Sequence, residues 1–209
     1  YAYDPRTSLK LGKGKITGTT RTFMNGDAIF KIEGMEELTH DIPVAYAKCA
    51  EADKDYLKGQ IDNTIGVAVV YALFRAGYQG TAYLTTEEEI GKSWIHIAAH
   101  LKRMRIHTND LIVLDTSPYK EEAPLDNGTI VLRHRDRFGT FNESLTSKIA
   151  KRCEKLELPY QYKDEYLKKK GAKNAELGTT ELGRLIDHTN KKWSGSSFQI
   201  PTNQYHTSC

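Results

Sequence analysis

The stretch Tyr83-Leu84-Thr85-Thr86-Glu87-Glu88-Glu89-Ile90-Gly91 decides how the chain is read. Aromatic, aliphatic and β-branched residues suit a pleated, half-buried surface, so a strand is predicted over Gly80 to Thr86, and it runs straight into three acids. In open α/β sheets ligands gather outside the carboxyl ends of the strands, where loops converge over a rigid base. Glu88 and Glu89 are therefore candidate site residues. The simpler alternative is that the acid triplet decorates the first turn of the helix that follows, where carboxylates are favoured.

Outward from this stretch, helix and strand signals alternate. Upstream, Asp62 or Asn63 is the expected N-cap of an apolar run, Ile65 to Phe74, that ends at Gly77 and reads as a buried helix. Downstream, Trp94 to Met104 has helical spacing, Asp110 to Asp115 and Thr129 to Arg133 read as short apolar strands, and Glu143 to Leu156 as a helix. Pro159 to Tyr162 is a predicted strand, Thr179 to His188 a helix, and Ser196 to Ile200 a last strand before Pro201. The alternation predicts an α/β fold, a mostly parallel sheet covered by helices. Ahead of it, residues 14 to 33 carry Thr, Ile and Phe around the turn signal Asn25-Gly26-Asp27, which predicts a β-hairpin. The run Lys168-Lys169-Lys170 before Gly171 reads as a solvated loop.

Composition narrows the function classes. Of 209 residues 39% are hydrophobic, enough for a real core, and 30 basic against 27 acidic residues leave a net charge of only +3. That balance gives no drive toward nucleic acid or an anionic membrane. Cys49, Cys153 and Cys209 are odd in number and form no C-x-x-C pair, so reduced thiols and a cytoplasmic setting are expected. No apolar stretch approaches the roughly 18 residues of a membrane span.

Five residues have the chemistry of a metal site: Asp62 at a helix start, Glu88 and Glu89, Asp115 closing a strand, and His206 just past the last one. Carboxylates and imidazole suit zinc, and a two-metal site with ions about 3.5–4 Å apart needs a bridging carboxylate, which Asp62 could supply. Taken singly, each has a plainer reading as cap, turn or surface residue.

The order Asp62-Asn63-x-x-Gly66, Glu88-Glu89-Ile90-Gly91, Leu114-Asp115, Gly178-Thr179-Thr180-Glu181 and Ile200-Pro201-x-x-x-Tyr205-His206 resembles the cytosolic dinuclear zinc aminopeptidases of the glutamyl-aminopeptidase and tetrahedral-aminopeptidase type, over about residues 14 to 209. The resemblance implies a zinc-exopeptidase-like core that removes N-terminal amino acids from peptides with zinc-activated water. It makes Glu88 the general base, Asp62 the bridge between two divalent metal ions, Glu89 a ligand of one, and Asp115 with His206 ligands of the other. Zinc is the expected metal, with cobalt and manganese suiting the same donors. Peptide substrates and a homo-oligomer are implied, with no nucleic-acid or membrane partner. Residues 1–45 would be the later part of a small β-rich domain and 46–209 the α/β catalytic domain. The family's further zinc-binding histidine, in an upstream H-x-D motif, has no counterpart, so the chain reads as lacking an N-terminal segment.

Competing readings remain. A catalytically inactive structural or assembly relative would keep the fold without a complete metal centre. Arg133-His134-Arg135-Asp136-Arg137-Phe138 could form a phosphate- or RNA-binding surface, although interleaved acids favour a mixed-charge solvated edge. His96 and His100, four apart, share a helix face and could hold a metal, but the glutamate of an H-E-x-x-H helix is absent.

Overall fold

A computed structural model describes residues 2–4, 6–7, 9–22, 28–36, 51–53, 56–59, 61–119 and 123–203. The chain divides into two compact units, Tyr1–Gly59 and Gln60–Cys209. The described residues of the first unit form three separate antiparallel ladders. Strand β1 (Ala2–Tyr3) pairs with β2 (Lys10–Gly12), β3 (Lys15–Thr22) with β4 (Ala28–Glu33), and β5 (Glu51–Asp53) with β6 (Tyr56–Lys58). The β3 and β4 strands are the expected hairpin; its turn signal, Asn25-Gly26-Asp27, lies outside the described residues.

The second unit is built from helices α1 (Thr64–Arg75) and α2 (Ser93–Arg103), strand β7 (Leu111–Pro118), the short α3 (Ala123–Asp126), β8 (Ile130–Leu132), α4 (Glu143–Lys155), β9 (Tyr160–Tyr162), α5 (Lys163–Lys169), α6 (Glu181–His188) and β10 (Gly195–Thr202). Helices α2, α4 and α6 follow from their patterns and caps. In α2 the buried residues Ser93, Ile97 and Leu101 recur every four positions, and α6 buries Leu182, Leu185 and Ile186 on one stripe. Asn142 caps α4 by accepting from the Leu145 N–H at 3.2 Å, and the Thr180 hydroxyl caps α6 by accepting from the Gly183 N–H at 3.0 Å.

The four-stranded sheet has the order β7-β10-β8-β9. β10 runs parallel to β7 from Gly195 opposite Leu111 to Thr202 opposite Pro118, and antiparallel to β8, which is parallel to β9. The sheet is thus mixed where a mostly parallel one was predicted. The connection from β7 to β8 holds only the four-residue α3, and β8 enters in the opposite sense; the full helix α4 then returns the chain to the same sense for β9. One core cluster joins Ile97, Leu101, Leu185 and Trp193, and a second joins Phe141, Leu182 and Ile186. The Trp193 indole N–H donates to the Ile106 carbonyl at 2.8 Å, satisfying the one polar atom the first cluster brings inside.

Three expectations change. Residues 80–86 form no strand, because strand character requires a ladder partner and none of the described strands pairs with them. Helix α1 is not buried: only Gly66 is, and Val67, Tyr71, Leu73 and Phe74 are all exposed. The lysine run is not a loop, since Lys168 and Lys169 form the last turn of α5, where cations complement the free carbonyls. Cys153 is free and buried, while Cys49 and Cys209 lie outside the described residues. Among the described residues no helix is long and apolar enough to cross a membrane.

Candidate metal and catalytic site

Asp62 and Asp115 are brought together by the residue between Asp62 and helix α1. The Asn63 side-chain carbonyl accepts from the Gly66 N–H at 3.1 Å, and its amide donates to the Leu114 carbonyl at 2.7 Å. One asparagine thus starts α1 and ties that start to β7, one residue before Asp115. Gly66 is required there, because a Cβ would fall 2.5 Å from the Asn63 side-chain oxygen.

Asp115 is half-buried within β7, and its Oδ1 accepts from the Thr116 N–H at 2.8 Å. Its carboxyl is pushed up to about 7: burial raises it most, the Thr116 N–H opposes, Glu88 and Asp62 raise it further, and Arg133 lowers it. Glu88 sits in a tight turn whose Gly91 N–H donates back to the Glu88 carbonyl at 2.7 Å. Partial burial raises the Glu88 carboxyl, followed by the charges of Glu89, Glu181 and Asp62, with Arg184 opposing. The Arg184 guanidinium lies against Gly91, where a Cβ would come within 2.7 Å of it. Glu88 thus lies in the field of Glu89, Glu181 and Asp62, and Asp115 in that of Glu88 and Asp62, which makes these five one acidic neighbourhood.

The placement differs from expectation in two respects. Glu88 and Glu89 follow an irregular segment and not a strand, and Asp115 lies inside β7, short of its end. The acids share a neighbourhood but do not close on one point: among the described residues no three His, Cys, Asp or Glu side chains are arranged to hold a metal ion. His206 lies outside the described residues. The chemistry of the donor set nevertheless fits a divalent cation, since a carboxyl driven toward neutrality by burial and then by neighbouring acids is relieved by positive charge.

Asp115 has a pH-dependent consequence. A carboxyl raised in the folded state contributes stability that is present below its unfolded value near 3.8 and is lost as pH rises through about 7. In metal-free protein Asp115→Asn should therefore stabilise the fold by about 2–4 kcal/mol at pH 8, and much less at pH 4. Urea denaturation at the two pH values measures this, and an increment independent of pH would contradict it.

The other sequence candidates resolve differently. His96 Nε2 pairs with Glu87 at 2.9 Å, and His100 packs edge-on to Tyr83 with ring centroids 5.2 Å apart, so the two imidazoles have separate partners. The Arg133–Phe138 segment is not wholly a solvated edge: Arg137 is exposed, but two of its charges lie inside. Arg133 is 4% exposed and Asp136 0%. His134 stacks on Tyr162 with ring centroids 4.0 Å apart. Sequence reading missed Arg133, Asp136, Gln199 and Arg184 as parts of the surroundings of the site. Only Asp136 left a trace, as an acid three residues before Gly139 in a turn-like stretch.

The fold is shared with solved aminopeptidases. PhTET1-12s, a dodecamer in its asymmetric unit, matches with a TM-score of 0.54 at 16% identity, over 87% of this chain and 48% of its own. The TET aminopeptidase from the marine sediment archaeon Thaumarchaeota archaeon SCGC AB-539-E09 matches at 0.51 and 18% identity, over 72% of this chain and 42% of its own. Aminopeptidase APDkam598 from the archaeon Desulfurococcus kamchatkensis matches at 0.55 and 14% identity, over 75% and 45%. The chain thus spans less than half the length of each. The M42 glutamyl aminopeptidase family model matches residues 34–184, and the chain belongs to that family. No curated protein matches it.

Proposed function

We propose that the chain is part of a metal-dependent aminopeptidase that releases N-terminal residues from peptides. The observation that carries this is the acid neighbourhood in a chain of the M42 family: a half-buried Asp115 raised to about 7, in the field of Glu88 and Asp62. Asp62 would be shared by two divalent ions, Glu89 would bind one, and Asp115 with His206 the other. Zinc is the first expectation, with cobalt or manganese suiting the same oxygen and nitrogen donors. When bound, the ions would supply Lewis acidity, lowering the pKa of water and polarising a peptide carbonyl.

The remaining steps belong to the protein's own groups. Glu88, whose carboxyl is raised by partial burial and then by its acidic neighbours, is suited to take a proton from the attacking water and pass it to the leaving amine. The Thr116 N–H holds one oxygen of Asp115 and so sets the direction of the other. A free substrate amine is a cation and would be drawn to this acidic neighbourhood, which favours exopeptidase over endopeptidase cleavage. A homo-oligomer is in keeping with the dodecameric neighbour, and a cytoplasmic setting with the free Cys153 thiol.

Release of the first residue from a free-amine peptide should be abolished by a chelator, restored by Zn²⁺, Co²⁺ or Mn²⁺, and absent for the N-acetylated peptide. Cleavage that survives chelation would reject the metal-dependent reading. A second reading, a relative that keeps the fold without a working centre, is favoured by the lack of three converged ligands among the described residues. It predicts no cleavage under any metal.

A further inference from the structure

The middle of β10 holds a glutamine where a sheet interior would ordinarily place an apolar residue. Gln199 is 2% exposed and lies opposite Asp115 in the parallel β7–β10 ladder. A buried amide is costly unless both its ends are paired, and both are. Its Oε1 accepts from Arg133 Nε at 2.7 Å, and its Nε2 donates to the Thr116 carbonyl at 3.2 Å. Arg133 is itself buried, and its Nη1 donates to the Leu177 carbonyl in the loop that leads to α6.

Thr116 therefore has both sides of its backbone engaged by side chains. Its N–H donates to Asp115 Oδ1 at 2.8 Å, and its carbonyl is held by Gln199. A rotation of the segment that would turn Asp115 must break the Gln199 bond, and Gln199 is in turn clamped by a guanidinium anchored to a third segment.

We propose that Gln199, backed by Arg133, is a positioning residue for Asp115, holding the backbone that aims this carboxylate at a divalent cation. The role rests on the metal-centre reading given above. Replacing a buried ion or polar pair by apolar side chains is often neutral or stabilising, so a Gln–Arg pair spent here points to a demand on geometry. Hydrogen-bonded partners of metal ligands typically contribute 10–100-fold in metal affinity.

The test is Co²⁺ titration followed by visible absorption, alongside thermal unfolding, for the parent chain, Gln199→Met and Thr146→Val. Thr146 shares a buried hydroxyl bond of 2.8 Å with Ser196, toward the other end of β10, and controls for lost stability. Gln199→Met should unfold cooperatively yet bind Co²⁺ about 10–100-fold more weakly, whereas Thr146→Val should lose stability and keep its affinity. If the methionine variant does not fold, Arg133→Lys keeps the buried charge while breaking the bond to Gln199, and a loss of affinity is again expected. A Gln199→Met affinity within twofold of the parent, or an equal loss in Thr146→Val, would overturn the role. A parent chain that binds no Co²⁺ removes the metal centre itself, and the positioning role with it.

Discussion

Replacing Glu88 by glutamine should lower the rate of N-terminal residue release by about 10²–10⁴-fold, the usual contribution of a general base, while metal content stays at the parent level. The amide is nearly isosteric but cannot accept a proton at neutral pH, so geometry is preserved and proton transfer is lost. Glu88 raises Asp115, and is itself raised by partial burial and then by Glu89, Glu181 and Asp62, with Arg184 opposing. Glu88 is not among the proposed ligands, so the metal should be retained. Turnover equal to the parent's would remove Glu88 from the chemistry. Lost turnover together with lost metal would make Glu88 a ligand instead of a base.

The largest effect on stability should come from Asp136→Ala. This carboxylate is 0% exposed, and its Oδ1 accepts from the Phe138 and Gly139 N–H groups at 2.8 and 2.9 Å. Its Oδ2 accepts from the Thr180 N–H at 2.8 Å and the Thr180 hydroxyl at 2.9 Å. Each charge-assisted bond contributes about 1.5–3 kcal/mol singly, but four donors on one group are not additive, so a loss of about 3–5 kcal/mol is expected. Part of it arises at Arg133, for which Asp136 is the first of the compensating charges. Asp136→Asn should recover little, because one oxygen becomes an N–H₂ facing donors. Urea unfolding measures the cost, and a value below about 1 kcal/mol would show that the donors find other partners. Gly183 belongs to the same unit of structure: a Cβ there would lie 2.0 Å from Asp136 Oδ2, so α6 can approach the carboxylate only at a glycine.

Local signals were strongest where the physics is local. Asn63, Asn142 and Thr180 cap the helices that follow them, and the spacing of Ile97 with Leu101, or of Leu182 with Leu185 and Ile186, is that of one buried helix face. The strands at Leu111–Pro118 and Gly195–Thr202 were legible, the first as an apolar run, although their length was not: pairing carries them past the predicted Asp115 and Ile200, through Pro118 and Pro201. Motif order likewise carried the resemblance to the glutamyl aminopeptidases without coordinates, and the family model agrees.

What sequence could not decide is what depends on a partner far away in the chain. Residues 80–86 have the composition of a strand and form none, because a strand exists only in a ladder. Helix α1 has the composition of a core helix and exposes most of it. Arg133 and Asp136, in a run of charges that suggests solvent, lie inside because their hydrogen-bond partners arrive 44 to 66 residues later, at Leu177, Thr180 and Gln199. Sequence by itself placed helices α1, α2, α4 and α6 and showed which residue types could make a metal site. Tertiary structure alone decided which charges are buried, because the partners that offset their desolvation are brought to them only by the fold.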